Sequence, residues 1–125
     1  MTFAEIPVPP SANAIWRAVH SRGKQLMLKS RAYRAWLESA VMVLKFSIDR
    51  TSGPVEVTIR VGGTGFNRQR DLDNCIKPVI DALRHAQRID GDSVKTVRRV
   101  VAEYLTDGLA RCEVAVSRIE TMGGN

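Results

Sequence analysis

Alternating apolar residues between positions 55 and 61 constrain the fold more than any other feature of this chain. Val55, Val57, Ile59 and Val61 are separated by single polar residues. This pattern predicts a strand that buries one face and exposes the other. A sheet with one apolar face must pack against other elements. We therefore expect a sheet that is covered on one side.

Two segments have the apolar spacing of helices that could provide this cover. Ser30 is the predicted N-cap of the first helix, which extends to about residue 46. The second helix follows the glycine-containing loop of residues 62–70, and Pro78 near its start predicts an irregular first turn or a helix that begins close to Pro78. Both apolar stripes are interpreted as core faces; their members are Tyr33, Trp36, Leu37, Ala40, Val41 and Leu44 in the first helix, and Ile76, Val79, Ile80 and Leu83 in the second.

The remaining segments complete an α+β prediction. Strands are expected at 2–8, 96–105 and 111–119, the last two joined by a turn at 106–108, and residues 15–19 and 25–28 are expected to form a hairpin. The order β, ββ, α, β, α, β, β predicts one mixed sheet with two main helices packed on it. We expect a single domain over residues 1–120 and a flexible tail over residues 121–125.

Charge and cysteine usage narrow the class of protein. The chain has 125 residues, 19 Lys and Arg against 13 Asp and Glu, and a net charge of +6. A basic balance favours a nucleic-acid partner, with an anionic membrane surface as a weaker option and solubility as the alternative explanation. The longest apolar run, residues 40–44, is too short for a transmembrane helix, and no signal peptide is visible. Cys75 and Cys112 lack metal-site spacing, and His20 and His85 do not complete a zinc set, which predicts reduced thiols in a cytoplasmic protein.

Two aspartates mark the start of the second helix. If residues 70–73 are extended, Asp71 and Asp73 point to the same side, whereas in a helix they would diverge by about 200°. An extended start lets both carboxylates meet one cation, and hard oxygen ligands suit Mg²⁺ or Mn²⁺. The more ordinary interpretation is that these residues cap the helix and face solvent. Without further motifs, both interpretations remain open.

Other charged residues lie along and beyond the same helix. Lys77 follows Asp73 by four residues, and an i,i+4 ion pair with Asp73 or Asp81 would explain it. Asp90 and Asp92 lie in the loop that leaves the helix. A helix of about fifteen residues is about 22 Å long. Asp92 can therefore meet Asp71 only if its loop folds back along the helix.

Taken together, these motifs resemble the RusA family of Holliday junction resolvases, small phage and bacterial endonucleases that cut four-way DNA junctions. The resemblance extends from residue 6 to residue 101. It is carried by Arg70-Asp71-Leu72-Asp73-Asn74, Lys77, Asp81-Ala82-Leu83, Asp92 and Arg99-Val100-Val101, with Pro9-Pro10-Ser11, Asn13 and Tyr33-Arg34 upstream. It implies a RusA-like fold and a homodimer, whose two-fold symmetry would place one acidic site on each of two opposed strands.

The resemblance also implies the site. Asp71, Asp73 and Asp92 would be catalytic residues and ligands of Mg²⁺, with Mn²⁺ as a substitute. Lys77 would be the catalytic lysine, placing positive charge at the scissile phosphate. The family often has two adjacent acids where this chain has Gly91-Asp92, so Asp90 is a candidate for the role of the missing acid. Asp81 has no matched catalytic role and is predicted to support the site or to pair on the helix surface.

Basic residues near the acids are expected to bind DNA phosphates through salt-sensitive contacts. The candidates are Arg68, Arg70, Arg88 and Lys95. Phe66 either wedges between bases at the junction centre or folds back onto the core. His85 is expected to be a surface or core histidine, and Cys75 to pack under the site.

The sequence therefore predicts a Mg²⁺-dependent, structure-selective endodeoxyribonuclease, bacterial or phage-encoded, that resolves Holliday junctions by paired symmetric incisions in recombination and repair. One alternative is a broader branched-DNA or flap nuclease. Another is a junction-binding protein without catalysis, in which Gly91 marks a degraded site. A structural or acidic-ligand-binding protein is disfavoured, because it gives the basic surface and the acid–lysine cluster no shared explanation.

Overall fold

A computed structural model describes residues 2–10, 16–21, 24–63 and 71–120. Its helices are α1 (Arg31–Ser47) and α2 (Ile76–His85), with a one-turn 3-10 helix (Leu72–Cys75) directly before α2. Its strands are β1 (Ala4–Ile6), β2 (Trp16–Ser21), β3 (Lys24–Lys29), β4 (Val55–Gly62), β5 (Val97–Leu105) and β6 (Arg111–Arg118). The predicted α+β class is confirmed.

Four strands form a mixed sheet in the order β1-β6-β4-β5. β6 is antiparallel to both β1 and β4, whereas β4 and β5 are parallel and are connected through α2. β5 and β6 are consecutive in the chain but lie on opposite sides of β4. Residues 106–110 therefore carry the chain across β4 and do not close a tight hairpin.

The predicted hairpin of β2 and β3 is confirmed, with Trp16 opposite Lys29 and Ser21 opposite Lys24. It forms a separate two-stranded sheet, so the expectation that one sheet holds all the strands is wrong. Prolines at positions 7, 9 and 10 separate this hairpin from β1. Because proline has no N–H to donate to a ladder, β1 ends at Ile6 and does not reach residue 8 as predicted.

The apolar face of β4 forms the centre of the core, as the alternation predicts. Val55, Val57, Ile59 and Val61 are completely buried. They share one cluster with the buried residues of the two helices, which include Tyr33, Trp36, Ala40, Leu44, Val79, Ile80 and Leu83. The helices therefore cover this face of the four-stranded sheet.

The opposite face of the sheet is charged. Arg60 on β4 pairs with Glu103 on β5 at 3.3 Å, and Arg99 on β5 pairs with Glu56 on β4 at the same distance. The guanidinium of Arg60 also lies 5.5 Å from the centre of the Phe3 ring. One apolar and one polar face are typical of a sheet that faces solvent on one side.

Local interactions fix the helices on this sheet. The Ser30 hydroxyl accepts a hydrogen bond from the Tyr33 N–H at 3.1 Å, which confirms the predicted N-cap. Trp36 donates from its indole nitrogen to the carbonyl of Pro7 at 2.7 Å and ties α1 to the end of β1. Pro78 is the third residue of α2, where its missing N–H costs no helical bond. Among the described residues, the helices are too short or too polar to cross a membrane.

Candidate active site

Asp71 and Asp73 lie where the chain enters the 3-10 helix before α2. Asp71 is extended, with φ −74° and ψ 141°. Beyond Asp71 the predicted extended conformation is wrong, because the Asn74 N–H donates to the Asp71 carbonyl at 3.0 Å and closes the 3-10 turn. Cys75, the last residue of that turn, is completely buried, so the turn is anchored on the core.

Both carboxylates belong to exposed residues. Asp71 occupies the N-cap position of the 3-10 helix, yet its side chain makes no capping hydrogen bond. The Asn74 side-chain amide approaches Asp73 Oδ1 only at 3.5 Å. The capping interpretation therefore fails for Asp71, and the exposed carboxylates of both residues can accept a cation.

Lys77 lies one turn further along, in the first turn of α2. Its ammonium group is 3.2 Å from Asp81 Oδ1, and its side chain is 73% exposed. The predicted i,i+4 ion pair is therefore present, with Asp81 as the partner. An ammonium group has three N–H donors, so one bond to Asp81 leaves two for a phosphate or a water molecule.

Asp81 is a buried acid in the middle of α2, with 6% of its surface exposed. Its Oδ2 accepts a hydrogen bond from the Tyr33 hydroxyl at 3.0 Å. Burial first, and then the Asp81 carboxylate, raise the pKa of Tyr33 well above its ordinary value. Tyr33 therefore remains a neutral donor at physiological pH. Sequence reasoning assigned Tyr33 to the core stripe of α1 and gave it no role at the site. A signal was present, because Tyr33 and Asp81 both lie in motifs that carry the family resemblance.

Asp92 lies at the other end of α2. It precedes β5, whereas Asp71 follows β4, and β4 and β5 are parallel. The ten residues of α2, about 15 Å in length, separate the two positions. Asp92 instead pairs with Arg84 in the last turn of α2, at 3.4 Å. Within the described ranges, no three His, Cys, Asp or Glu side chains lie close enough to hold a metal ion.

Asp90 joins the loop after α2 to the loop before β4. Its Oδ1 pairs with Arg50 at 2.7 Å, and its Oδ2 accepts from the Gly53 N–H at 2.8 Å. Because both carboxylate oxygens have protein partners, this geometry gives Asp90 a structural role.

The candidate DNA-binding residues have different surroundings. Arg88 donates to the carbonyls of Ala86 and Ile48 at 3.1 and 3.2 Å, which links α2 to the end of α1. Lys95 is exposed in the turn before β5. Arg68, Arg70 and Phe66 lie outside the described residues, as does the predicted tail.

The cysteines and His85 are in the environments expected for them. Cys75 is buried at the end of the 3-10 turn that carries Asp73, and its thiol donates to the Leu72 carbonyl at 3.0 Å. Burial first, and then the nearby Cys75, raise the pKa of Cys112 to about 12, so Cys112 remains a protonated thiol. His85 is exposed, with its imidazole 3.4 Å from the Arg84 guanidinium.

Comparison with known proteins identifies the family. The sequence matches the family described as Endodeoxyribonuclease RusA over residues 6–117. This chain belongs to the RusA family. It is 29% identical over 119 residues to the crossover junction endodeoxyribonuclease RusA of Enterobacteria phage HK97, and the alignment covers 94% of each chain. The family resemblance drawn from the motifs is confirmed, and the protein is an endodeoxyribonuclease.

In this RusA-family chain, Asp71 and Asp73 suit a hard divalent cation. Mg²⁺ prefers carboxylate oxygens and is usually held by one or two carboxylates together with waters and substrate phosphates. Asp71 and Asp73 each present an exposed carboxylate of this kind, but only Asp71 keeps the extended conformation that would turn both side chains to one side. Asp92 lies at the other end of α2 and pairs with Arg84.

Proposed function

We propose that this endodeoxyribonuclease resolves Holliday junctions by Mg²⁺-dependent, paired symmetric incisions during DNA recombination and repair. The relative from phage HK97 is named a crossover junction endodeoxyribonuclease, which supports the substrate. The observation that carries the chemistry is the exposure of Asp71 and Asp73, with no capping bond on Asp71, and the Lys77 ammonium group one turn away. A DNA substrate and reduced thiols are consistent with action in the bacterial cytoplasm.

Each side chain has a distinct role in this proposal. Asp71 and Asp73 bind the divalent cation, either Mg²⁺ or Mn²⁺. When bound, such an ion lowers the pKa of a coordinated water and polarises a phosphate oxygen. Lys77 directs its two remaining N–H donors at the scissile phosphate, where negative charge develops during hydrolysis.

Asp92 is proposed as a third acidic ligand on the basis of its position in the family motif. Its ion pair with Arg84 is about half-exposed on both sides, and such pairs contribute at most about 1 kcal/mol. Releasing Asp92 from Arg84 therefore costs little. Its participation requires residues 86–96 to rearrange when the junction binds.

DNA contacts in this proposal come from basic residues around the acids. Lys95 is free to contact phosphate through its exposed side chain, and Arg68, Arg70 and Arg88 complete the proposed set. Arg88 would contact DNA with the part of its guanidinium that its two carbonyl partners leave available. A homodimer would present two sites with the symmetry of the junction.

The test is cleavage of an end-labelled four-way junction, with Mg²⁺ or with EDTA, beside a linear duplex of the same sequence. We expect paired nicks only on the junction and only with Mg²⁺. Asp71→Asn should abolish cleavage and leave junction binding intact. Glu56→Gln, which alters an ion pair on the opposite face of the sheet, is the matched control and should cleave normally. Cleavage by Asp71→Asn at the wild-type rate would refute the proposal.

An endodeoxyribonuclease that binds the four-way junction but does not cut it is the second candidate. Gly91, together with the separation of Asp92 from the Asp71–Asp73 pair, favours it. It predicts tight junction binding and no Mg²⁺-dependent product even at high protein concentration, and Gly91→Asp would then be the first variant to test for restored cleavage. Equal cleavage of flaps and junctions would instead identify a broader branched-DNA nuclease.

A further inference from the structure

We infer that Asp81 and Tyr33 are positioning residues that hold the Lys77 ammonium group in place for phosphodiester cleavage. This inference rests on the proposed function, because it assumes that Lys77 acts at the scissile phosphate. It assigns a role to two residues outside the Asp71–Asp73 pair.

The first argument is the burial of Asp81. Its side chain is only 9% exposed, whereas that of its partner Lys77 is 73% exposed. A carboxylate in such a position must be matched by hydrogen-bond donors, since an unpaired buried charge is strongly destabilising. An apolar residue at this position would avoid that requirement. The acid at position 81 therefore serves a purpose other than core packing.

The second argument is the geometry of its two oxygens. Oδ2 accepts from the Tyr33 hydroxyl at 3.0 Å, and Oδ1 accepts from Lys77 Nζ at 3.2 Å. Tyr33 is completely buried in α1, so its hydroxyl is a fixed donor. With one oxygen held by α1, the carboxylate cannot rotate freely. Its other oxygen therefore points in a defined direction.

The third argument concerns the effect of the fixed Asp81 carboxylate on the Lys77 side chain. A lysine side chain has four rotatable bonds and loses much conformational freedom when it is held in one place. On α2, residues 77 and 81 lie about 40° apart around the axis, since each residue turns about 100°. The ion pair with Asp81 therefore orients the Lys77 ammonium group along the helix surface before substrate binds. Such pre-organisation of a charge is what accelerates the chemical step.

The test is a double-mutant cycle on single-turnover cleavage, with enzyme in excess over a four-way junction. We expect Lys77→Ala to lower the rate about a hundredfold, as removal of one charge-stabilising donor does elsewhere. Asp81→Asn should lower it about ten- to thirtyfold, and Lys77→Ala/Asp81→Asn should be no slower than Lys77→Ala. Residues that act as a unit show this non-additivity. Junction affinity in EDTA should not weaken in Asp81→Asn, because this change removes no positive charge.

A purely structural role makes the opposite prediction. If Asp81 only secures α1 against α2, Asp81→Asn slows cleavage by the same factor with and without Lys77, and that result would overturn the inference. Tyr33→Phe provides a second cycle if Asp81→Asn does not fold; it should slow cleavage about three- to tenfold, and only when Lys77 is present. Glu56→Gln should leave the rate unchanged. If the wild-type protein does not cleave the junction, the proposed function itself is refuted.

Discussion

Replacing Asp90 by alanine should weaken the fold and spare catalysis. The two carboxylate oxygens of Asp90 bind different partners, the Arg50 guanidinium at 2.7 Å and the Gly53 N–H at 2.8 Å. Arg50 also donates to the Gln87 carbonyl at 2.8 Å. Together these bonds join the loop before β4 to the loop after α2. Removing the carboxylate breaks two of the three bonds at once.

The magnitude follows from the exposure of the groups. Arg50 and Asp90 are 48% and 39% exposed, so their ion pair is worth about 0.5 kcal/mol. The hydrogen bond from a backbone N–H to a charged acceptor adds about 1–1.5 kcal/mol when it is partly exposed to water. The free energy of unfolding should therefore fall by about 1.5–2 kcal/mol. For a domain of this size, that lowers the melting temperature by roughly 5–8 °C.

The assay combines thermal unfolding with single-turnover junction cleavage well below the melting temperature. Asp92→Asn is the matched variant, because Asp92 lies in the same loop and has a single exposed ion pair with Arg84. It should change the free energy of unfolding by less than about 0.5 kcal/mol and should abolish cleavage. High salt should reduce the cost of Asp90→Ala only by the part due to Arg50. A stable but inactive Asp90→Ala protein would show that Asp90 has taken over the role of the missing acid, and would refute this reasoning.

Two further predictions concern Gly63, which directly follows β4, and the Cys112 thiol in β6. Gly63→Ala should destabilise the protein by at least about 2 kcal/mol in urea unfolding, because φ at Gly63 is +88° and an added Cβ would lie 2.2 Å from Ala110 Cα; an unchanged midpoint would contradict this. The pKa of Cys112 rises from 9.0 to about 12 through burial and the nearby Cys75. Cys112 should therefore resist thiol reagents until the protein unfolds. The stability linked to this pKa shift is fully present below pH 9.0 and is lost as the pH rises towards 12, so Cys112→Ala should flatten the fall in melting temperature across that range.

Local periodicity was sufficient to predict the elements that form the core. The α1 stripe from Tyr33 to Leu44 and the alternation from Val55 to Val61 both indicate contacts with one apolar surface. The structure buries the four β4 residues and most of the α1 stripe, whereas Leu37 and Val41 are only partly buried. The order of the strands in the sheet could not be predicted from local periodicity. Nothing near β6 in the sequence indicates that it lies between β1 and β4, since strand neighbours are set by packing between distant segments.

The candidate site likewise combines residues that local sequence could identify with contacts that it could not. Asp71, Asp73 and Lys77 are close in sequence, so their spacing and their match to a family motif made them candidates. The partner of Asp81 is Tyr33, which is 48 residues away, and the partner of Asp90 is Arg50, which is 40 residues away. Such polar pairs leave no periodic signal in a single sequence. The separation of Asp92 from Asp71 likewise depends on the parallel pairing of β4 and β5.

The position of β6 has a consequence for how the protein folds as it is synthesised. β6 follows every other described strand in the chain, yet it provides the neighbour of both β1 and β4. Until β6 leaves the ribosome, β1 has no partner strand in the four-stranded sheet. The backbone N–H and C=O groups along one edge of β4 are unpaired as well. Non-local pairings of this kind slow folding, and unpaired edges promote aggregation. We therefore expect the nascent chain to depend on chaperones until its final strand is inserted.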